Sequence, residues 1–445
     1  MRTATDRFGW LGILRLGLVQ AALGAVVVLT TSTINRVMVV EFALPAMLPG
    51  ALVALHYAVQ ILRPRLGYGS DLGGRRAPWI IGGMAVLALG GVLAALATAL
   101  MVSDRLSGTA LAVIAFTLVG GGVGACGTNL LVLLAKRVDE RRRAAAATTV
   151  WLMMIVGFVV TAGVAGHFLD PFTPARLILV TATVSAIAFA VTVLATYNIE
   201  GAARARAEAV APPRSSSFRA ALSEVWSEGR ARRFTIFIFV AMLAYSAQDL
   251  ILEPFAGTVF GFTPGESTRL AADQHGGVLV GMVLLALLGS TAWGRRLGSM
   301  QTWTIIGCVA SAAALLNLAV GGQVGAGFPL RWAVFALGAA NGLFAVAAIG
   351  SMMALVGEGR EQREGVRMGL WGAAQAIAYA IGGFLGTAAI DLMRAIMDSP
   401  APAYAAVFGV EALLFLVAAG LALRVTEARP QSAGSPLRLT DPGAA

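Results

Sequence analysis

The chain has 445 residues, of which 58% are hydrophobic and 13% charged, with a mean hydropathy of +0.79 and a net charge of +10. A soluble domain carries about a quarter charged residues, so this chain has too little charge to wet a globular surface of its size. The excess of arginine does not mark a nucleic-acid partner, because it sits in short loops between apolar runs rather than on one polar domain.

The N-terminus places Arg2 and Arg7 before an apolar run. That run continues past signal-peptide length without a small-residue exit, which predicts an uncleaved first span. Apolar segments lie near 11–34, 44–62, 78–101, 109–135, 144–169 and 175–197. They resume near 233–260, 276–294, 302–321, 330–356, 367–391 and 402–423. Each run is long enough for a bilayer, and lipid offers no partner to a free backbone N–H or C=O, so each is expected to be a helix. The expected fold is an all-α integral membrane protein with twelve transmembrane helices in two pseudo-symmetric six-helix bundles, residues 1–197 and 233–424. Between them lies a cytoplasmic linker, 198–232, in which Phe218, Leu222, Val225 and Trp226 share one face of a surface amphipathic helix. The polar tail, 425–445, is expected to be disordered.

With both termini cytoplasmic, 27 of the 33 Lys and Arg residues fall inside. Only Arg36, Arg105, Arg176, Arg269, Arg331 and Arg394 fall outside, and a bias of that size sets the orientation. The two halves repeat. Gly120/Gly124 in the fourth span and Gly338/Gly342 in the tenth share a G-x-x-x-G spacing. In the following span a tryptophan comes eight residues after an arginine (Arg143/Trp151 and Arg363/Trp371), and the run ends in Asp170 or Asp391. Two six-helix repeats around a midplane site are the arrangement of secondary transporters.

The loop after the second span, "GYGSDLGGRR", fits G-x-x-x-D-x-x-G-R-R through Gly67, Asp71, Gly74, Arg75 and Arg76. Its aspartate can accept from the first backbone N–H groups of a neighbouring helix, and its glycines permit close approach, which would make a releasable latch. The loop resembles the signature of the major facilitator superfamily, with Leu72 where a basic residue is usual. The alternative is a charged turn that only anchors topology.

Two longer stretches, from "TSTINRVMVVEFALPAMLPG" through that loop and "AYSAQDLILEPFAG" in the seventh span, resemble the PucC/LhaA family of bacteriochlorophyll-delivery and light-harvesting assembly factors. The likeness runs over essentially all twelve spans. It implies residence in the photosynthetic intracytoplasmic part of a bacterial inner membrane. It also implies bacteriochlorophyll as cargo, and light-harvesting polypeptides, with chlorophyll synthase as a further candidate, as partners beside the membrane lipids.

Ionisable residues within spans are functional candidates by default. Asp249 and Glu253, with Gln248 beside them, lie about 24 and 30 Å above Arg233 at 1.5 Å per residue, on one helical face. Asn35, Arg36 and Glu41 lie at similar depth in the first span. Arg36 can therefore neutralise Asp249 or Glu253, either as an outer-rim ion pair that fixes packing or beside a proton-carrying carboxylate. His56, in the second span, is the candidate axial ligand to a pigment magnesium, or a helix histidine bonded to Gln60. His167 and His275 fall at span ends, where solvation accounts for them. Cys126 and Cys308 match no metal spacing and read as small buried side chains.

No nucleophile set, Walker loop, H-E-x-x-H or aspartate-rich Mg-diphosphate motif is present, so no enzyme and no free metal are expected. The competing readings are a pigment-handling assembly factor, a proton-coupled transporter or flippase of a small or lipophilic substrate, and a scaffold without cargo. Fold alone does not choose among them.

Overall fold

A computed structural model describes residues 8–60, 75–139, 142–200, 226–290, 296, 298–357 and 364–426. The described residues form twelve principal helices: α1 (Trp10–Glu41), α2 (Met47–Val59), α3 (Ala77–Leu100), α4 (Arg105–Arg137), α5 (Arg143–Phe168), α6 (Pro174–Thr196), α7 (Gly229–Phe260), α8 (Pro264–Ser290), α9 (Met300–Val324), α10 (Leu330–Gly357), α11 (Glu364–Ile396) and α12 (Pro400–Thr426). Eleven are long and apolar enough to cross a membrane, and α2 is a shorter apolar helix of 13 residues. The expected all-α, twelve-span architecture is therefore the one observed. With an even number of crossings, both termini lie on one face, here called the termini face; the α1–α2, α5–α6, α7–α8 and α11–α12 connections lie on the far face.

Each half has its own core. In the second, Phe237, Phe255, Phe344, Phe408 and Phe415 pack with Cys308 and Trp371. In the first, Leu16, Val19, Met84, Leu130 and Cys126 do so. The repeat seen in the sequence is real in space. On α4, a side chain at Gly120 would strike the His56 carbonyl of α2, and on α10 one at Gly338 would strike the Gln274 carbonyl of α8. Between the halves, α5 lies against α8 and α2 against α11, while α7 meets α1 along Leu29–Glu41.

Two helix boundaries correct the sequence reading. The first span does not end at residue 34, despite the polar Thr30–Arg36. Thr30 and Thr31 donate back to the Val26 and Val27 carbonyls. The helix continues through two π-helical turns, Leu29–Thr33 and Val37–Glu41, that bracket Ile34–Arg36. Hydroxyls that bond within their own helix need no water, so a polar run need not be a loop. The eighth helix starts at Pro264, twelve residues earlier than hydropathy suggests. A capping box starts it: the Thr263 N–H donates to Glu266 Oε2 (2.9 Å) and the Glu266 N–H to Thr263 Oγ1 (3.2 Å). Arg36 and Arg269 consequently lie within helices α1 and α8, near their far-face ends.

Of the latch residues, Gly67, Asp71 and Gly74 lie outside the described residues. So do most of the 198–232 linker, with Phe218, Leu222 and Val225, and all but the first residues of the tail. Trp226 is described and exposed. Arg75 is exposed, whereas Arg76 is buried at the start of α3. There the N–H groups of Arg76 and Ala77 donate to the Glu200 carboxylate at 2.9–3.1 Å.

Candidate functional site at the seam between the halves

Asn35 and Arg36 occupy the short α-helical stretch between the two π turns of α1, against α7. Pro254 lies inside α7. Lacking an N–H, it leaves the Leu250 carbonyl, four residues back, without its helical donor. Asn35 Nδ2 fills that gap from the other half, donating to Leu250 O at 2.6 Å. A buried carbonyl in the membrane is thus satisfied by a side chain that only the assembled seam supplies.

Arg36 is 1% exposed. Its guanidinium donates to Glu41 on its own helix and to the Phe262 carbonyl at the end of α7. That carbonyl is aimed by Gly261, whose φ of 71° ends α7 with a left-handed residue. Gly257 lets α7 approach, since a Cβ there would meet the guanidinium at 3.0 Å. Glu253 is buried beside the group, with both oxygens lacking a hydrogen bond. The Ser32 and Ser267 hydroxyls adjoin it, and Arg36 is its positive charge. Of the two acids expected to face Arg36, then, Glu253 does. Asp249 turns instead to α8, accepting from Gln274 Nε2 at 3.1 Å. Thr33 and Thr268 continue the seam with a hydroxyl–hydroxyl bond of 3.1 Å.

Toward the centre, three tyrosines meet from three helices and both halves. Tyr57 of α2 packs on Tyr379 of α11 with ring centroids 5.1 Å apart, and Tyr245 of α7 on the same ring at 6.0 Å. Asp249 lies within electrostatic reach of Tyr245 and Tyr379, and Gln375 adjoins Tyr379. Glu411 of α12 is buried with neither oxygen hydrogen-bonded, and Asp249 is its acidic neighbour. Gln248 is wholly buried, and neither amide atom has a partner. The sequence reading did not single out Tyr57, Tyr245 or Glu411. The available signal was weak, namely polar groups embedded in apolar runs whose helical faces only the packing reveals.

His56 is 1% exposed, and Gln60 Nε2 donates to its Nε2 at 2.9 Å. Its ring stands edge-on to Tyr57, centroids 4.8 Å apart. A magnesium ligand bond through that nitrogen would have to displace Gln60. His167 is exposed at the end of α5, as expected. His275 is not at a span end: it is buried within α8 with Phe158 of α5 at 4.8 Å between ring centroids. Among the described residues no cluster of three or more His, Cys, Asp and Glu could hold a metal ion.

A family model described as PUCC protein matches residues 33–429. The chain is 54% identical over 421 residues to the Bacteriochlorophyll synthase 44.5 kDa chain of Rhodobacter capsulatus, covering 95% of this chain and 96% of that one. It is 30% identical over 433 residues to Protein PucC of Cereibacter sphaeroides, covering 93% and 92%. Among solved structures it resembles the nucleoside transporter NupG, with a TM-score of 0.67 at 12% identity over 94% of this chain and 100% of that one. At that identity the likeness establishes the major facilitator fold and nothing about substrate.

Proposed function

The chain belongs to the PUCC protein family, and from that footing we propose that it is an assembly factor of the photosynthetic membrane. In this reading it binds bacteriochlorophyll and hands it to light-harvesting polypeptides or works beside the pigment-synthesis enzymes, with its termini face toward the cytoplasm. A membrane protein with a photosynthesis-related role follows from the family itself. The finer reading rests on one observation, the tyrosine cluster at the seam.

Tyr57, Tyr245 and Tyr379 offer aromatic faces and hydroxyls from both halves, with one carboxylate, Asp249, beside them. Such a cluster suits contact with a flat, conjugated, mainly apolar ring carrying a few polar substituents better than with a well-hydrated solute. The word synthase in one relative's name fits a partner of the synthesis machinery. The chain has no aspartate-rich diphosphate motif with which to transfer a prenyl group, and we assign it no catalysis.

The test is the absorption spectrum of gently solubilised protein. A bacteriochlorophyll band that co-elutes with the chain and weakens in Tyr379→Leu is the expected result. A pigment-free preparation that still carries antenna polypeptides would replace this reading with a scaffold. His56→Phe and His56→Asn sharpen the test: a ligand role lowers pigment occupancy in the order His, Asn, Phe at equal expression, and equal occupancy removes His56 from the site.

The second reading, a proton-coupled transporter or flippase, is favoured by the fold and by the buried carboxylates Glu253 and Glu411 with the half-buried Asp249 near them. Reconstituted protein that moved protons with a solute, and stopped on Asp249→Asn, would establish it.

A further inference from the structure

On the far face the two halves are tied by the same device used twice. Ala46 stands at the N-cap of α2 and has no side chain with which to cap it. Asp391 of α11, from the other half, takes that role. Its Oδ1 accepts the Ala46 N–H at 2.9 Å and its Oδ2 the Met47 N–H at 2.7 Å. At the symmetry-related place Asp170, just after α5, accepts the Gly265 N–H of α8 at 3.1 Å on Oδ1, and Arg269 Nη2 at 3.3 Å on Oδ2. Arg269 also donates to the Gly166 carbonyl at 2.9 Å.

The first N–H groups of a helix have no partner inside it, and they carry its positive end. A carboxylate there is held by hydrogen bonds and by charge together. Both contacts also depend on small residues. A Cβ at Gly265 would fall on the Asp170 carboxylate, and one at Gly50, one turn into α2, would fall on Thr387, one turn before Asp391.

We propose that Asp170 and Asp391 are a matched pair of catches that hold the far face shut, and that the halves part there only when both release. The α5–α8 contact forms one flank of the seam and the α2–α11 contact the other. Releasing one catch leaves the opposite flank tied. The pair therefore acts as a two-key closure.

The experiment uses full-length protein with Cys126 and Cys308 replaced by alanine, and spin labels at Ser103 and Ser399, which are exposed on the far face of opposite halves. Pulsed-resonance distances should be short and narrow in the unmodified background and nearly unchanged in Asp170→Asn or Asp391→Asn alone. The double variant should add a longer-distance population of comparable size.

Should Asp391→Asn prevent folding, Ala46→Ser with Asp391→Ala gives α2 a cap of its own without crossing the seam. Combined with Asp170→Asn, it should open the same way. Glu200→Gln, which breaks a cap inside one half, should leave the distance unaltered. An unchanged distance in the folded double variant, full opening by either single variant, or opening by Glu200→Gln would each overturn the proposal.

Discussion

Both faces of the molecule use a carboxylate from one helix to cap the start of another, but they use it differently. On the termini face Glu200, just beyond α6, caps α3 within the first half. On the far face Asp170 and Asp391 cap α8 and α2 across the seam. The bond chemistry is the same, so the contrast teaches that connectivity decides what such a bond controls. A cap inside a bundle stabilises that bundle, whereas a cap between bundles sets their relative position. Between the two far-face caps, Arg36 and Asn35 add cross-seam bonds whose partners are backbone carbonyls rather than helix starts.

The contrast can be broken most forcefully at Arg36. Arg36→Ala removes a buried cation from Glu41, Glu253 and the Phe262 carbonyl, and breaking such a group commonly costs about 3–5 kcal/mol. Folded yield and thermal denaturation in detergent should fall accordingly. Adding Glu253→Gln should recover part of the loss, while adding Asp249→Asn should not, because Asp249 is bonded to Gln274. Equal rescue by the two would show that the acids share Arg36 after all.

Next comes the pairing of Asn35 with the gap left by Pro254. Asn35→Ala leaves a buried carbonyl without a donor, which costs about 1–3 kcal/mol. In a Pro254→Ala background, residue 254 regains an N–H for Leu250, so the same substitution should cost markedly less. Additive losses in this double-mutant cycle would sink the explanation.

Glu200→Gln sharpens the comparison from the other face. It should lower stability by about 1 kcal/mol, the usual scale of a helix cap, with the loss read from denaturation of the first half.

The smallest effect is expected at Asp104, which caps its own helix, α4, through the Leu106 and Ser107 N–H groups. Hydrogen bonds from the Ser107 hydroxyl, the Ser107 N–H and the Leu106 N–H hold its carboxyl below the usual carboxylate value. A lowered folded value means that its contribution is present above the ordinary carboxylate range and is lost as pH falls through the folded one. Asp104→Asn should erase that acid-side dependence and leave the spacing of the halves alone. An unchanged acid limb in the variant would count against it.

Much of the fold was legible because lipid makes the rule strict. Residues in a long apolar run must be helical, and arginine-rich loops alternate with arginine-poor ones. Asp170 and Asp391 were visible as repeat markers, and the T-P-G-E box at 263–266 was a readable start for α8 that hydropathy overrode. The sequence by itself thus determined the number of spans, the two-fold repeat and the identity of the polar residues inside the membrane. Apart from the His56–Gln60 pair, one turn apart at the end of α2, only the tertiary structure decided their partners. Asn35 answers a carbonyl orphaned by a proline 219 positions later, Glu253 rather than Asp249 meets Arg36, and three tyrosines from distant helices converge on one point. Periodicity along a helix specifies which face a side chain occupies, but the helix that will face it is set by how twelve of them pack together.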